Sequence, residues 1–141
     1  ESIDVANEFV DNGVIIYEVT QSDEHTFNAD QGGLAAELPL VVLVNGGTAS
    51  AAELVSGAIR DNERGILIGQ ATFGKGTVQQ IFTLSDGSSI HVTSAEWLTP
   101  NRTPIASVGL IPDIEMIPDA NGRDVEIGEA IRYLQQQLET E

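Results

Sequence analysis

A single lysine, Lys75, stands between two glycines in Gly74-Lys75-Gly76, 25 residues after Ser50. The chain carries 22 acidic and 6 basic residues, for a formal charge of -16, and every basic residue other than Lys75 is arginine. A lysine used for solubility would have company. One held in a glycine-flanked segment points to what an amine can do near neutral pH and a guanidinium cannot, which is to abstract a proton. Ser50 is a matching nucleophile, and a serine activated by a neutral lysine is a known variant of the catalytic triad. Such a pair needs a third group to hold the amine. In an extended segment Lys75, Thr77 and Gln79 point to the same side, and the Gln79 amide oxygen can accept from the amine without adding a charge.

Each residue also has a plainer role. Ser50-Ala51-Ala52-Glu53 reads as a capping box, in which serine and glutamate side chains satisfy each other's backbone N–H groups at a helix start. The same free N–H groups would favour an oxyanion beside the serine, with the Ala51 N–H as donor. Gln79 taken alone is an ordinary strand glutamine facing water. Gly69-Gln70-Ala71-Thr72-Phe73-Gly74-Lys75-Gly76 follows a phosphate-loop spacing until its last place, where Gly76 replaces the magnesium-binding serine or threonine. A β-forming stretch follows where a helix is required. A serine–histidine hydrolase has His25 and His91 to draw on. However, Ala52 occupies the last glycine of a nucleophile elbow. Asp119, Asn121 and Asp124 are out of calcium-loop register and fit a turn followed by a helix cap. No cofactor or metal is expected.

The elements that must position these residues are read from periodicity. Ile3, Val5, Ala6, Phe9 and Val10 recur at helical spacing, and residues 14–19 then read as a strand. Residues 20–38 are mixed and polar and read as a surface loop. The β-branched run 40–44 has the pattern of a central strand buried on both faces, and Asn45-Gly46-Gly47 ends it. A helix spans residue 51 to about residue 62, with Leu54, Val55, Ala58 and Ile59 on one face. Ile66-Leu67-Ile68 is a further buried strand, and Ser85-Asp86-Gly87 joins strands 77–84 and 88–98 as a hairpin. Four prolines and two glycines make residues 99–122 irregular. A last helix runs from residue 124 to about residue 138, with Ile127, Ala130, Ile131, Leu134 and Leu138 on one side. Strand, glycine turn and helix in succession indicate an α/β fold in one domain over residues 1–141.

Composition narrows the partners. The acidic balance offers no basic patch for nucleic acid or an anionic membrane, and no apolar run approaches the ~20 residues of a membrane span. Without cysteine there are no disulfides and no thiolate chemistry.

Asn45-Gly46-Gly47-Thr48-Ala49-Ser50-Ala51-Ala52-Glu53 resembles the nucleophile segment of the C-terminal processing, or tail-specific, serine proteases, N-x-G-S-A-S-A-S-E. Phe73-Gly74-Lys75-Gly76-Thr77-Val78-Gln79 is similar to their F-G-K-G-x-V-Q segment. Leu98-Thr99-Pro100 and Gly109-Leu110-Ile111-Pro112-Asp113 are close to their Y-T-P and G-I-x-P-D stretches, so the likeness runs in order over roughly residues 1–115. It implies a crotonase-like or Clp-protease-like α/β core, with Ser50 as nucleophile, Lys75 as base and Gln79 orienting the amine. It also implies a protein or peptide substrate with a disordered C-terminus and an extracytoplasmic location.

Two departures accompany it. Thr48 stands where the family has its first serine, a conservative change. The family's D-L-R-x-N-P-G-G stretch, with a second oxyanion donor and a core strand, does not occur among the 141 residues, nor does its PDZ domain. The expectation is therefore the C-terminal portion of a catalytic domain, inactive by itself, with a non-catalytic binding or dimerisation module of the same fold as the alternative. An assembled dyad should place Ser50 Oγ about 2.6–3.2 Å from Lys75 Nζ. It should also sit in a pocket of apolar groups, Phe73 and Val78 among them, because desolvation favours the neutral amine.

Overall fold

A computed structural model describes residues 1–140. The elements in chain order are α1 (Ser2–Asn7), β1 (Val14–Val19), β2 (Glu24–Asn28), β3 (Val41–Val44), α2 (Ala51–Asp61), β4 (Ile66–Gly69), β5 (Thr77–Thr83), β6 (Ser89–Leu98), β7 (Ile114–Glu115) and α3 (Val125–Thr140). They form two sheets. One is antiparallel in the order β2-β1-β6-β5, and the other is parallel in the order β3-β4-β7.

The core lies between these sheets and the helices. Ile15 and Ile16 of β1, Leu54 and Ala58 of α2, and Leu67 of β4 meet Ala6, Val44, Ile105 and Leu110 in one buried cluster. The apolar face read from α2 is the face it buries, and burial of that stripe is what holds an 11-residue helix in place. At its far end Asn62 Nδ2 donates to both Ala58 O and Val14 O at 2.8 Å. One side chain thus closes the helix and ties it to β1.

Four sequence expectations change. Residues 20–38 are not all loop, because β2 pairs antiparallel with β1. Its residues are mostly polar, and only the successive Thr26 and Phe27 are half-buried, so no alternating apolar pattern marks the strand. The run at 41–44 is an edge strand rather than a central one, and Leu43 is 41% exposed. The central strand of that sheet is β4, whose Leu67 and Ile68 are fully buried. The irregular crossing contains β7, a two-residue strand parallel to β4, set in register by Asp113. The Asp113 N–H donates to Leu67 O at 2.9 Å, and its carboxylate accepts from Leu67 N–H at 2.7 Å. The apolar side of α3 is only partly covered. Ala130 is buried, whereas Ile127, Ile131 and Leu138 are about half exposed or more.

The hairpin formed as expected. Leu84 N–H donates to Ser88 O at 2.8 Å, and Gly87 takes a positive φ of 85° in the turn. Asp124 caps the last helix through Ile127 N–H at 2.9 Å.

Candidate active site

The two segments singled out by sequence follow the C-terminal ends of adjacent parallel strands, β3 and β4. In open α/β sheets, ligands bind at that end. The chain leaves β3 through Asn45, whose side chain accepts from Gly47 N–H at 2.8 Å, and whose own N–H donates to Thr48 Oγ1 at 3.1 Å. Thr48 thus shapes the turn that delivers Ser50 to the start of α2. Across the gap, Phe73 N–H donates to Thr48 O at 2.9 Å and Gln70 N–H to Val44 O at 2.9 Å, so the two loops are bonded to each other.

Ser50 adopts φ 56° and ψ -117°. A helix N-cap residue ordinarily sits in the β region with negative φ, and a non-glycine residue in this conformation costs about 1–3 kcal/mol. Capping alone does not ask for that. A sharp, strained turn between strand and helix is the backbone setting that exposes a nucleophilic serine, and here it arises without the glycine that marks the motif in sequence. The Ala51 N–H, at the first position of α2, has no hydrogen-bond partner among the described residues.

Glu53 holds the turn. Fully buried, it accepts four hydrogen bonds. Its Oε2 takes the N–H of Ser50 at 2.8 Å and that of Lys75 at 2.9 Å. Its Oε1 takes the Gly74 N–H at 2.7 Å and the Thr72 hydroxyl at 2.5 Å. The Thr72 hydroxyl is itself oriented by accepting from Leu110 N–H at 2.7 Å. One side chain therefore sets the main chain of Ser50 beside that of Lys75, and links both to the 105–113 segment. Gly74 and Gly109 make the close approach possible. Each has positive φ, and a Cβ on Gly74 would lie 2.9 Å from Gly109 N. Sequence reasoning gave Glu53 only its capping half. The signal for the rest was thin: a glutamate with no solvent-side partner at helical spacing, opposite a threonine in a glycine-rich loop.

The side chains are less assembled than the backbone. Lys75 and Gln79 are both exposed. Among the described residues no hydrogen bond joins Lys75 Nζ to Ser50 Oγ or to Gln79, and no carboxylate lies within ion-pair distance of the amine. Phe73 is 66% exposed and Lys75 is itself exposed, so the described residues do not form the apolar enclosure expected around the amine. Gln79 sits beside an irregularity in the ladder. Val78 pairs with Ala95 and Gln79 with Thr93, which leaves Ser94 as an extra residue whose hydroxyl donates to Val78 O at 3.3 Å. Such bulges re-aim neighbouring side chains next to active sites. The histidines lie elsewhere. His25 stacks edge-on against Phe27, and the His91 ring bonds Ser89 on the hairpin. Asp119 accepts from Asn121 N–H and Arg123 N–H as a turn, and the described residues contain no cluster suited to a metal.

Residues 1–116 match the family model of peptidase family S41. The chain is 46% identical over 112 residues to the carboxyl-terminal-processing protease of Synechocystis sp., covering 79% of this chain and 26% of that protein. It is 40% identical over 125 residues to the chloroplastic C-terminal processing peptidase of Tetradesmus obliquus, covering 88% and 27%. Among solved structures it resembles the photosystem II D1 C-terminal processing protease, at 38% identity and a TM-score of 0.76, over 86% of this chain and 33% of that one. The tricorn protease shares the fold over 98% of this chain at 16% identity and a TM-score of 0.64. The chain thus spans about a quarter of the length of the curated relatives it matches. With an α/β fold of the S41 and Clp-like kind and matched segments from end to end of this region, it belongs to peptidase family S41, among the C-terminal processing proteases.

Proposed function

We propose that these residues form the distal part of a serine endopeptidase that cuts near the disordered C-terminal tails of proteins. Ser50 is the nucleophile, Lys75 its general base, Gln79 the group that orients the amine, and Ala51 N–H an oxyanion donor. The observation that carries the reading is the positive φ of Ser50, held by a buried carboxylate that also binds the main chain of Lys75. Lys75 Nζ takes the Ser50 Oγ proton as Oγ bonds to the scissile carbonyl carbon, and Ala51 N–H bonds the oxyanion. The C–N bond then breaks, the leaving amine takes the proton from Lys75, and an acyl-enzyme remains. Water then attacks the ester carbonyl as Lys75 Nζ takes its proton, the Oγ–C bond breaks with return of that proton to Ser50 Oγ, and the new C-terminus is released.

The exposure of Lys75 and Gln79 supports a further part of the reading, that the 141-residue chain by itself is inactive and needs covering groups from the full-length protein. Named relatives are chloroplastic or bacterial processing enzymes, which favours a site of action outside the cytoplasm. The alternative is a non-catalytic module of the same fold, and it makes no use of the strained serine.

The test is turnover of an unfolded-tail substrate by the full-length protein. Removing a general base lowers the rate by ~100 to 10,000-fold, and Lys75→Arg should be as inert as Lys75→Ala because a guanidinium cannot give up its proton. An arginine variant with near-native activity would remove the base from Lys75.

A further inference from the structure

The main chain of Lys75 is held by Glu53 on one side and by a turn at residues 105–109 on the other. The Gly74–Lys75 peptide unit is bonded at both ends. Its N–H, that of Lys75, donates to Glu53 Oε2 at 2.9 Å, and its carbonyl, that of Gly74, accepts from Ser107 N–H at 2.9 Å. A peptide unit is rigid and planar, so bonds at its two opposite ends restrict its orientation, and with it the direction from which the lysine side chain starts. The chain is held again just beyond the lysine, where Gly76 O accepts from Trp97 N–H at 2.8 Å. A Cβ on Gly76 would lie 2.4 Å from Ala106 N and 2.7 Å from Ile105 Cβ, so the loop passes directly against the same turn.

The turn is itself anchored. Ile105 and Leu110, at its two ends, belong to the buried core cluster, and Gly109 N–H donates to Ile105 O at 3.0 Å across it. Ser107, in its middle, has φ 69°. Gly74 and Gly109 reach positive φ as glycines, without a steric cost, whereas Ser107 does so with a Cβ. A non-glycine residue persists there only where its surroundings over-determine it. The Ser107 hydroxyl has no hydrogen bond among the described residues. What the conformation delivers is therefore in the main chain: the N–H that meets the Gly74 carbonyl.

We infer that Ser107 is a positioning residue for the reaction, whose positive φ turns its N–H onto the Gly74 carbonyl and so sets the direction of the Lys75 side chain relative to Ser50. This rests on the peptidase reading above and adds what orients the base from the side that Glu53 does not reach. Ser107 touches no reacting atom and acts only through the lysine. Misplacing a catalytic group by about 1 Å can cost ~100-fold in rate, so a single main-chain bond beside the base is enough to matter. A turn residue without this role would affect folding but not the part of the rate that the lysine supplies.

The experiment measures the rate at which a fluorophosphonate labels Ser50 in the full-length protein, in a cycle that combines Ser107→Pro with Lys75→Ala. Proline fixes φ at about −65° and has no N–H, so the bond to Gly74 is lost. Glycine keeps both the N–H and the positive φ. Ser107→Pro should slow labelling at least about tenfold, and Ser107→Gly should stay within about twofold of wild type. In the Lys75→Ala background Ser107→Pro should slow labelling no further, because a residue that acts through the lysine has nothing left to position. Equal slowing in both backgrounds would overturn the inference, since the substitution would then be disturbing Ser50 or the fold rather than the base. So would Ser107→Pro labelling at the wild-type rate, or Ser107→Gly labelling as slowly as Ser107→Pro. Should the proline variant fail to fold, Ser107→Val carries the same predictions, because a β-branched side chain opposes positive φ. Lys75→Ala alone labelling at the wild-type rate would remove the base itself, and the positioning role with it, so failure of the dyad and failure of the inference are told apart.

Discussion

The Glu53 knot and the hairpin arm begin within three residues of each other, at Gly74 and Thr77, yet they are built oppositely. In the knot a buried carboxylate satisfies four donors from two segments, two glycines bring backbones together, and almost nothing is left unpaired. In the arm, apolar side chains are about half exposed and the edge of β5 has no strand partner beyond β6 among the described residues. The difference separates two tasks. The knot fixes where the Ser50 and Lys75 main chains lie, so it has to be closed. The arm fixes none of these main chains, and among the described residues it stays open. Lys75 belongs to both, with its backbone in the knot and its side chain on the open side.

The largest expected effect comes from opening the knot. Glu53→Ala leaves several buried donors without an acceptor, each worth about 1–3 kcal/mol. We expect a loss of at least ~3 kcal/mol in denaturant unfolding, with faster hydrogen exchange at Ser50, Gly74 and Lys75. A loss below ~1 kcal/mol would mean that water replaces the carboxylate and that the knot is weaker than drawn.

Relieving the strain inside the knot should act in the other direction. Glycine adopts positive φ without penalty, and replacing a serine cap by glycine costs only a few tenths of a kcal/mol. Ser50→Gly should therefore leave stability unchanged or raise it by up to ~1 kcal/mol while abolishing turnover. A clear fall in Tm would show that the serine is there for its cap.

On the arm, Phe82→Thr removes a half-exposed ring from a surface with no partner, and the change in unfolding free energy should stay within about 0.5 kcal/mol. A much larger loss would show that the arm is packed rather than open.

The smallest effect is electrostatic. Arg102 stacks over Tyr17, 4.2 Å from the ring centroid, and grips Glu24 through two hydrogen bonds of 2.8 and 3.0 Å. Those bonds hold the Glu24 carboxyl below the usual carboxylate range. A lowered carboxyl stabilises the fold above its unfolded pKa, and that contribution disappears as pH falls through the folded value. The pair is exposed, so the difference in Tm between wild type and Arg102→Ala should be small near neutrality and narrow further below pH ~4. A gap that widens on acidification would contradict the sign.

Much of this was legible in the sequence, and the reasons differ by element. The hairpin, α2 and β4 declare themselves through local signals: an Asp-Gly turn, a serine cap before an apolar face, and a short β-branched run. Strand β2 was hidden because its pairing with β1 supplies what its own mostly polar sequence does not. β3 has the hydrophobic pattern of a central strand, but position in a sheet is a property of neighbours and cannot be read from one run. Ser50 and Lys75 were visible as residue types at a telling spacing. Glu53 was visible only as a cap, because its other three donors come from a loop some 20 residues on, and no periodicity links them. The positive φ of Ser50 leaves no sequence mark at all, since Ala52 replaces the expected glycine.

The most direct test of the central claim is covalent labelling. The full-length protein is treated with a fluorophosphonate and digested, and the adduct is located by mass spectrometry. The account requires one adduct, on Ser50, formed ~100-fold or more slowly in Lys75→Ala, because the amine must take the hydroxyl proton as the bond forms. An adduct on another serine, or equal labelling with and without Lys75, would contradict it.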